Sequence, residues 1–348
     1  DNWAGAHPTV MDAVVRCNDG FAPSYGGEAW TKRVEEKFSA LFERDVAVYF
    51  VATGGAANAL ALSVLTPPYG MILAHEESHI QMDECGAPEF FTGGAKILPL
   101  KGKAAKLAPE TVTRALRGFP HRPPHGSPIR VLSLTQATEC GAVYSVDEVS
   151  SLARVAKAEG LSVHVDGARF ANALAALKTS AADATWRAGV DALSFGGTKN
   201  GCIGAEAVVF FDRAAASDFE FRRKRGGHLL SKSRYVAAQF EAYLADDLWL
   251  RLADHANRMA RRLSDCLAGI KGCRVWYETE ANEVFVSFSE GVADRLRAEG
   301  ARFYPWITPG DPAAGAMQRL ICAWSTTTED VDQFLAVVER EAKRSGAF

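Results

Sequence analysis

Two charged side chains follow apolar segments that the sequence predicts to be strands. Asp166 lies near the end of "SVHVDG" (162–167), and Lys199 follows "DALSFGG" 33 residues further on. That interval has room for one helix and one strand, so we expect both side chains at the same edge of a sheet. An amine and a carboxylate placed together in this way are candidates to act on one ligand.

A third element lies upstream, where "VATGGAANALAL" predicts a strand, a turn and a helix with Gly54, Gly55 and Ala56 at the junction. Small residues let backbone N–H groups approach an anion, and a helix N-terminus favours negative charge. The segment is neither a Walker A sequence nor GxGxxG, so it does not specify a nucleotide. Taken singly, the three elements also fit a surface lysine, a helix-capping acid and an empty turn.

Pyridoxal phosphate is a ligand whose chemistry needs all three elements. Its aldehyde forms a Schiff base with a lysine such as Lys199, and a carboxylate such as Asp166 keeps the ring nitrogen protonated. Its phosphate suits the glycine-rich helix start. The order of the three elements therefore predicts a pyridoxal phosphate site.

Short apolar runs alternate with amphipathic ones from about residue 45 onward. This alternation predicts an α/β fold with a mostly parallel sheet wrapped by helices, which binds ligands at the carboxyl ends of its strands. The predicted strands are "VAVYFVAT", "GMILAH", "AKILPL", "IRVLSLTQAT", "SVHVDG", "DALSFGGTK" and "AEAVVFFD", and the predicted helices are "GGAANALALSVL", "APETVTRALRG" and "SVDEVSSLARVAKAEG".

The pattern changes near residue 235. Residues 234–270 read as a long helical stretch with a break around Asp246, and short strands and a closing helix follow. We therefore predict an N-terminal arm and a large domain over residues 1–245, and a smaller α+β domain over residues 246–348.

Composition excludes several classes of protein. The 348 residues are 48% apolar and 23% charged with a net charge of −3, so a nucleic-acid or anionic-membrane partner is not expected. No apolar run approaches the ~20 residues that span a bilayer. The seven cysteines are scattered and form no CxxC pair, which predicts no metal site and a reducing, cytoplasmic location. The basic run "RRKR" (222–225) fits a solvated helix face.

Several motifs together resemble the low-specificity L-threonine aldolases, nearly from end to end. They are "SYGGEAW", "FVATGGAANALAL", "ESHIQMDECGAPEFFTGGAK", "LTQATECGAVYS", "HVDGAR", "SFGGTKNG" and "RLICAWSTTTED". The resemblance implies fold type I of the pyridoxal phosphate enzymes, with a large domain and a smaller C-terminal domain. It also implies a homo-oligomer, a dimer or a tetramer, with active sites shared between chains.

The resemblance assigns roles around the cofactor. Lys199 is the expected Schiff-base lysine, Asp166 the partner of the ring nitrogen, and His79 the imidazole stacked on the ring near the substrate hydroxyl. The phosphate is expected at Gly54, Gly55 and Ala56, together with Arg225 and Lys232 from a neighbouring subunit.

The substrate carboxylate is expected between Arg169 and Arg319, because a guanidinium binds a carboxylate through two hydrogen bonds. Arg169 is also expected against the cofactor, and Asn2 of the opening "DN" on the substrate side. Many relatives have histidine where this chain has Glu139, so the catalytic base is His79, Glu139 or a bound water. "YGGE" replaces the more usual "YGDD", leaving Glu28 as its acid.

The activity that the resemblance implies is cleavage of L-threonine, L-allo-threonine and related β-hydroxy-α-amino acids, such as phenylserine, to glycine and an aldehyde. Two alternatives stay open at this point. One is another fold-type I enzyme, an aminotransferase or a β-eliminating lyase, because the core chemistry is shared. The other is a binding protein that keeps the fold without catalysis.

Overall fold

The computed structural model describes residues 3–120, 122–306 and 317–344. Within them, a seven-stranded sheet forms the centre of the N-terminal part, with strands in the order β1-β7-β6-β5-β4-β2-β3. Five neighbouring strands run parallel, whereas β7 pairs antiparallel with both β1 and β6. The strands are β1 (Ala47–Val51), β2 (Met71–His75), β3 (Lys96–Leu100), β4 (Ile129–Thr135), β5 (Ser162–Gly167), β6 (Ala192–Gly196) and β7 (Glu206–Phe210).

Helices surround this sheet and explain why its central strands are continuous apolar runs. Every residue of β2, β6 and β7 is buried, as expected where both faces of a sheet are covered. The helices are α1 (Pro8–Cys17), α2 (Ala29–Leu41), α3 (Gly54–Leu65), α4 (His79–Met82), α5 (Ala87–Thr92), α6 (Pro109–Gly118), α7 (Val146–Ala158), α8 (Phe170–Leu177), α9 (Phe219–Arg225) and α10 (Arg234–Tyr243).

The long predicted helix is broken where expected. Asp246 and Asp247 have φ values of 49° and 53°, which a right-handed helix cannot contain, and they end a short 3₁₀ turn over Ala245–Asp247. The chain then continues as α11 (Leu248–Ala268). The break is confirmed; the domain division at residues 245 and 246 stays a prediction.

A second, antiparallel sheet follows α11 and has two different faces. Val284, Val286 and Leu320 pack on helices, whereas Phe285 and Met317 form a separate cluster on the opposite face. The strand order is β10-β11-β9-β8. The elements are β8 (Cys273–Val275), β9 (Glu283–Phe288), α12 (Val292–Ala298), β10 (Tyr304–Pro305), β11 (Met317–Ile321) and α13 (Thr328–Arg344).

The two hydrophobic cores meet along α11. Leu248 and Leu252 belong to the core of the large sheet, whereas Leu263 and Leu267 belong to the core beneath the small sheet. In the part of the chain that the structure describes, no helix combines the length and the apolar character needed to cross a membrane. The predicted fold class, an α/β large domain with a smaller C-terminal α+β part, is confirmed.

Candidate active site

A cavity of about 340 Å³ lies at the edge of the large sheet where β4, β5 and β6 end. The antiparallel strand β7 presents its first residue, Glu206, at this same edge. The cavity brings together most of the predicted site residues: Gly54, Gly55, His79, Glu139, Asp166, Arg169, Lys199 and Arg319 line it.

Asp166 is buried and held by two donors. Its Oδ1 accepts a hydrogen bond from the backbone N–H of Ala168 at 3.0 Å, and its Oδ2 accepts one from Asn58 Nδ2 at 2.7 Å. Asn58 lies on the buried α3 and also donates to Glu84 Oε1 at 2.8 Å. The Asn58 amide therefore bridges the two carboxylates and holds the Asp166 side chain at the cavity wall.

His79 begins α4 and is positioned by two acids. Its Nδ1 lies 2.9 Å from Glu84 Oε1, and its backbone N–H donates to Glu139 Oε1 at 2.7 Å. The hydrogen bond to Glu84 raises the pKa of His79, outweighing the opposite effect of burial. Because Glu84 holds Nδ1, the Nε2 side of the ring is the side left for a ligand.

Burial changes the acidity of three carboxyl groups around the cavity. It raises the pKa of Glu84, and it raises the pKa of Glu139 to about 7 with a further contribution from the Asp166 charge. It also raises the pKa of Glu206 to about 7. Glu139 and Glu206 therefore exchange protons near neutral pH, unlike ordinary glutamates.

Lys199 lies in a 3₁₀ turn, Thr198–Asn200, that follows β6 directly. Burial, with a further contribution from the nearby Arg169 guanidinium, lowers the pKa of its amine to about 8, although Asp166 acts in the opposite direction. An amine with this pKa is deprotonated far more often near neutral pH than an ordinary lysine. It is therefore suited to attack an aldehyde.

The start of α3 fits a phosphate group. Thr53 caps this helix by accepting the backbone N–H of Ala56 at 3.1 Å, so Ala56 is engaged within the chain. A Cβ on Gly54 or Gly55 would meet its nearest protein atom only at 3.6 Å, in ordinary contact, and both glycines line the cavity. Side chains there would fill the cavity, so the glycines keep open a space beside a helix N-terminus.

Polar atoms next to the cavity lack partners in the protein and fit a polar ligand. Asn58 Oδ1, Glu84 Oε2 and Glu139 Oε2 are buried without a hydrogen bond. Buried polar atoms of this kind are costly unless a ligand or water satisfies them. Together with Lys199 and the glycine turn, these groups fit pyridoxal phosphate with a bound amino acid.

Two arginines meet across the cavity from different sheets. Arg169 follows β5, and Arg319 lies on β11 with its guanidinium carbon 4.8 Å from the centre of the Trp306 ring. A buried acid, Glu283, pairs with both: its Oε1 lies 3.0 Å from Arg169 Nη2 and 3.7 Å from Arg319 Nη1.

Of the predicted residues that the structure describes, three do not line this cavity: Ala56, Arg225 and Lys232. Arg225 and Lys232 are exposed, and the cavity lining that this chain provides includes neither of them. Their segment nevertheless lies near the glycine turn, because the backbone N–H of Ala52 donates to His228 Nδ1 at 3.4 Å. Asn2 lies outside the described residues.

His79, Glu84 and Asp166 place one ligand atom each within 4.8 Å of one another, a spacing that a metal ion can use. The hydrogen bonds favour another explanation. Asn58 Nδ2 already donates to the two carboxylates, and a positive ion in the same place would repel the amide hydrogens. The cluster is better explained as the support of Asp166 and His79.

Sequence reasoning did not single out Asn58, Glu84, Glu206, Glu283 or Trp306. Asn58 and Glu84 had a signal, because a polar residue within the apolar helix "GGAANALALSVL" and an acid within "MDECGAP" both need a partner when buried. Glu283 begins a predicted strand, where an acid is usually solvated. Its burial is known only from the structure.

Comparisons with known proteins agree with this fold and site. The model of the β-eliminating lyase family matches residues 1–290. The low specificity L-threonine aldolase of Pseudomonas aeruginosa is 44% identical over 331 residues, which cover 95% of this chain and 93% of that protein. A second one, from a Pseudomonas species, is 42% identical over 336 residues and 97% of this chain, covering 95% of its own length. A solved structure of Leishmania major threonine aldolase has a TM-score of 0.90 with 26% identity, covering 98% of both chains.

The fold and the cavity are those of the pyridoxal phosphate enzymes of fold type I. Within that class, the chain belongs to the β-eliminating lyase family, and its 44% and 42% identical relatives are named low specificity L-threonine aldolases. The predicted family and cofactor are confirmed.

Proposed function

We propose that the protein cleaves β-hydroxy-α-amino acids, L-threonine and L-allo-threonine among them, to glycine and an aldehyde. The observation that carries this proposal is one cavity lined by Lys199, Asp166 and the arginine pair Arg169 and Arg319. The names of the Pseudomonas and Leishmania relatives support the same activity.

Pyridoxal phosphate, when bound, supplies a ring that accepts the electron pair left on Cα when the Cα–Cβ bond breaks. In our proposal Lys199 holds it covalently, and Asp166 pairs with its ring nitrogen as a carboxylate kept in place by Asn58 and Ala168. Gly54 and Gly55 make room for its phosphate.

The two arginines orient the substrate. Arg169 and Arg319 would bind the α-carboxylate together, which would fix the orientation of Cα and Cβ relative to the bound cofactor. Trp306 packs on Arg319 and lines the cavity, so it limits where that guanidinium can go. His79 would cover the ring and donate from Nε2 toward the substrate hydroxyl.

Glu139 is our candidate for the base that removes the hydroxyl proton. It lines the cavity, its Oε2 has no hydrogen-bond partner, and its pKa of about 7 matches the range in which a base works near neutral pH. His79 is less suited, because its pairing with Glu84 favours the protonated ring. A bound water held by either side chain is the remaining alternative.

The pH profile of the Glu139→Gln variant tests this assignment. In the unchanged enzyme kcat/KM should rise as pH increases through about 7, because the base works when it is deprotonated. The variant should lose most of its activity and also lose that rise. A Glu139→Gln enzyme with an unchanged profile would instead assign the proton transfer to His79 or to water.

Assembly and location are part of the proposal. The expected dimer or tetramer is supported by the exposed Arg225 and Lys232, which are cations suited to a neighbouring subunit's phosphate. Seven cysteines without a disulfide support the cytoplasmic location. The division into a large and a smaller domain is supported by the two cores, although they separate within α11, after Ala253, and not at the proposed boundary between residues 245 and 246.

Incubating the purified protein with threonine tests the function. Glycine and acetaldehyde should form in equal amounts, and borohydride should attach the cofactor to Lys199, as peptide mapping would show. Lys199→Ala should abolish cleavage, whereas the exposed Lys101→Ala should not. A Lys199→Ala protein with full aldolase activity would end the proposal. A keto acid instead of glycine would indicate an aminotransferase or, where ammonia is released with it, a β-eliminating lyase. A protein that binds no cofactor and turns nothing over would indicate the binding protein.

A further inference from the structure

A buried acid stands between the two arginines of the proposed carboxylate site. Glu283 is 1% exposed, and its Oε1 lies 3.0 Å from Arg169 Nη2 and 3.7 Å from Arg319 Nη1. Both arginines line the cavity, but Glu283 is not among the described residues that do so. It therefore lies behind the guanidinium groups and can act on a ligand only through them.

The backbone places Glu283 accurately. In the antiparallel pairing of β9 with β11, Glu283 is opposite Ile321 and Arg319 is opposite Phe285, so Glu283 and Arg319 are diagonal neighbours on one face. The preceding residue, Asn282, exchanges two hydrogen bonds with Cys322 at 2.9 and 3.0 Å. The carboxylate therefore projects from a fixed point of the small sheet toward Arg169, which belongs to the large one.

Charge explains why an acid is needed at this point. Two guanidinium groups held close together repel each other, and a buried counter-charge removes that repulsion before any substrate arrives. With Glu283 ionised, the three side chains carry one net positive charge. That charge is balanced by a single carboxylate, which is what an α-amino acid with an uncharged side chain brings.

We propose that Glu283 is the positioning residue of the carboxylate site, holding Arg169 and Arg319 in the orientation that receives the substrate carboxylate. This inference rests on the proposed function, because it concerns how the same site recognises its amino acid. It assigns a task to a side chain that touches neither substrate nor cofactor.

The test compares two amines on the cofactor-loaded enzyme, with the cofactor absorbance reporting binding. Glycine has the carboxylate, and 2-aminoethanol has the amine without it. Glu283→Gln keeps the shape of the side chain but removes its charge. We expect the Kd of glycine to rise by about tenfold or more, since charge-assisted contacts of the arginines are weakened, while the Kd of 2-aminoethanol changes by less than about twofold.

Glu341→Gln is the matched control. Glu341 is also a 1% exposed glutamate in the C-terminal part, and its partners Arg295, Arg340 and Arg344 each lie at 3.0 Å, away from the cavity. This variant should lose stability and keep the affinity of both amines. Should Glu283→Gln fail to fold, Glu283→Asp retains the charge but is shorter, and we expect it to weaken glycine binding alone.

Three results would overturn the inference. The first is an unchanged Kd of glycine in the Glu283 variants. The second is a lower Kd of glycine, which would mean that the acid mainly repels substrate. The third is an equal loss of affinity for glycine and 2-aminoethanol. The proposed function fails separately, when the unchanged protein releases no aldehyde from threonine. An active aldolase whose Glu283→Gln variant binds glycine normally would remove only the role of Glu283.

Discussion

Replacing Asn58 by leucine tests how the site holds the Asp166 side chain in place. The amide donates to Asp166 Oδ2 at 2.7 Å and to Glu84 Oε1 at 2.8 Å, and leucine has nearly the same size without a donor. Hydrogen bonds to charged groups contribute about 1.5–3 kcal/mol each. Removing both should lower the free energy of unfolding of the cofactor-free protein by about 3–6 kcal/mol at pH 8, a large part of a typical total of about 5–15 kcal/mol.

The loss should depend on pH, with a sign that the structure fixes. Burial already raises the pKa of Glu84, and without Asn58 the Asp166 charge raises it further. Unfolded Glu84 loses its proton at the ordinary pKa and folded Glu84 at the raised one. In both proteins stability falls as pH rises from the ordinary pKa of Glu84 to the raised one, and in the variant this fall continues to a higher pH. The loss relative to the unchanged protein should therefore be smaller at pH 5.5 than at pH 8.

Urea unfolding at the two pH values measures both quantities. Asn257→Leu is the control, because Asn257 is equally buried but bonded to uncharged groups of Asn172 at 3.0 and 2.9 Å. Its loss should be smaller and the same at both pH values. The reasoning would be refuted if the free energy of unfolding that Asn58→Leu loses did not change with pH. It would also be refuted if that loss were no larger than the loss in Asn257→Leu.

Three further outcomes are expected. Arg319→Ala should raise KM for threonine by about 10- to 100-fold through the loss of charge-assisted hydrogen bonds, and an unchanged KM in steady-state kinetics would remove Arg319 from the site. Acylation of Lys199 in the cofactor-free protein, followed by peptide mapping, should be half-maximal near pH 8, whereas a midpoint above pH 10 would contradict the lowered pKa. Ser145→Ala should cost about 1 kcal/mol of unfolding free energy, because it removes the capping box with Glu148 at the start of α7; urea midpoints equal to the unchanged protein's would contradict this.

Much of the large sheet is predictable from sequence, because its central strands are apolar runs between amphipathic helices. The strand ends are less so. The predicted strand "IRVLSLTQAT" ends at Thr135, and the side chain of the next residue, Gln136, exchanges hydrogen bonds of 2.8 and 2.9 Å with the backbone of Tyr144. "DALSFGGTK" ends at Gly196, before the turn that holds Lys199. No element is predicted for residues 1–44, where the structure has α1 and α2.

The residues of the site also fall into a part that is predictable from sequence and a part that is not. Asp166 and Lys199 are predictable because each follows a strand, and parallel strands end at one edge. The contacts of Asn58 with Asp166 and of Glu283 with Arg169 join residues more than 100 positions apart, so no local pattern contains them. Such contacts decide which charges a site contains, and they are the part that required the structure.

The balance of those charges has a consequence for assembly. The cavity is lined by three cations, His79 and four acids: Asp83, Glu139, Asp166 and Glu206. A cofactor phosphate held at the start of α3 would add a dianion near Glu206, whose Oε2 lies 3.6 Å from a Cβ placed on Gly54. The N-terminus of α3 offsets only about half a charge. A neighbouring subunit is therefore the expected source of further positive charge.

Cofactor affinity should then depend on association between subunits. Diluting the protein below the concentration at which its subunits separate, measured by light scattering or sedimentation, should release the cofactor. Replacing the exposed Arg225 by glutamine should weaken cofactor binding without changing the folded state, while Arg114→Gln on the distant helix α6 should not. A separated subunit that holds the cofactor as tightly as the assembly would contradict this reasoning. It would mean that a proton on Glu206 and the helix terminus are enough to balance the phosphate within one chain.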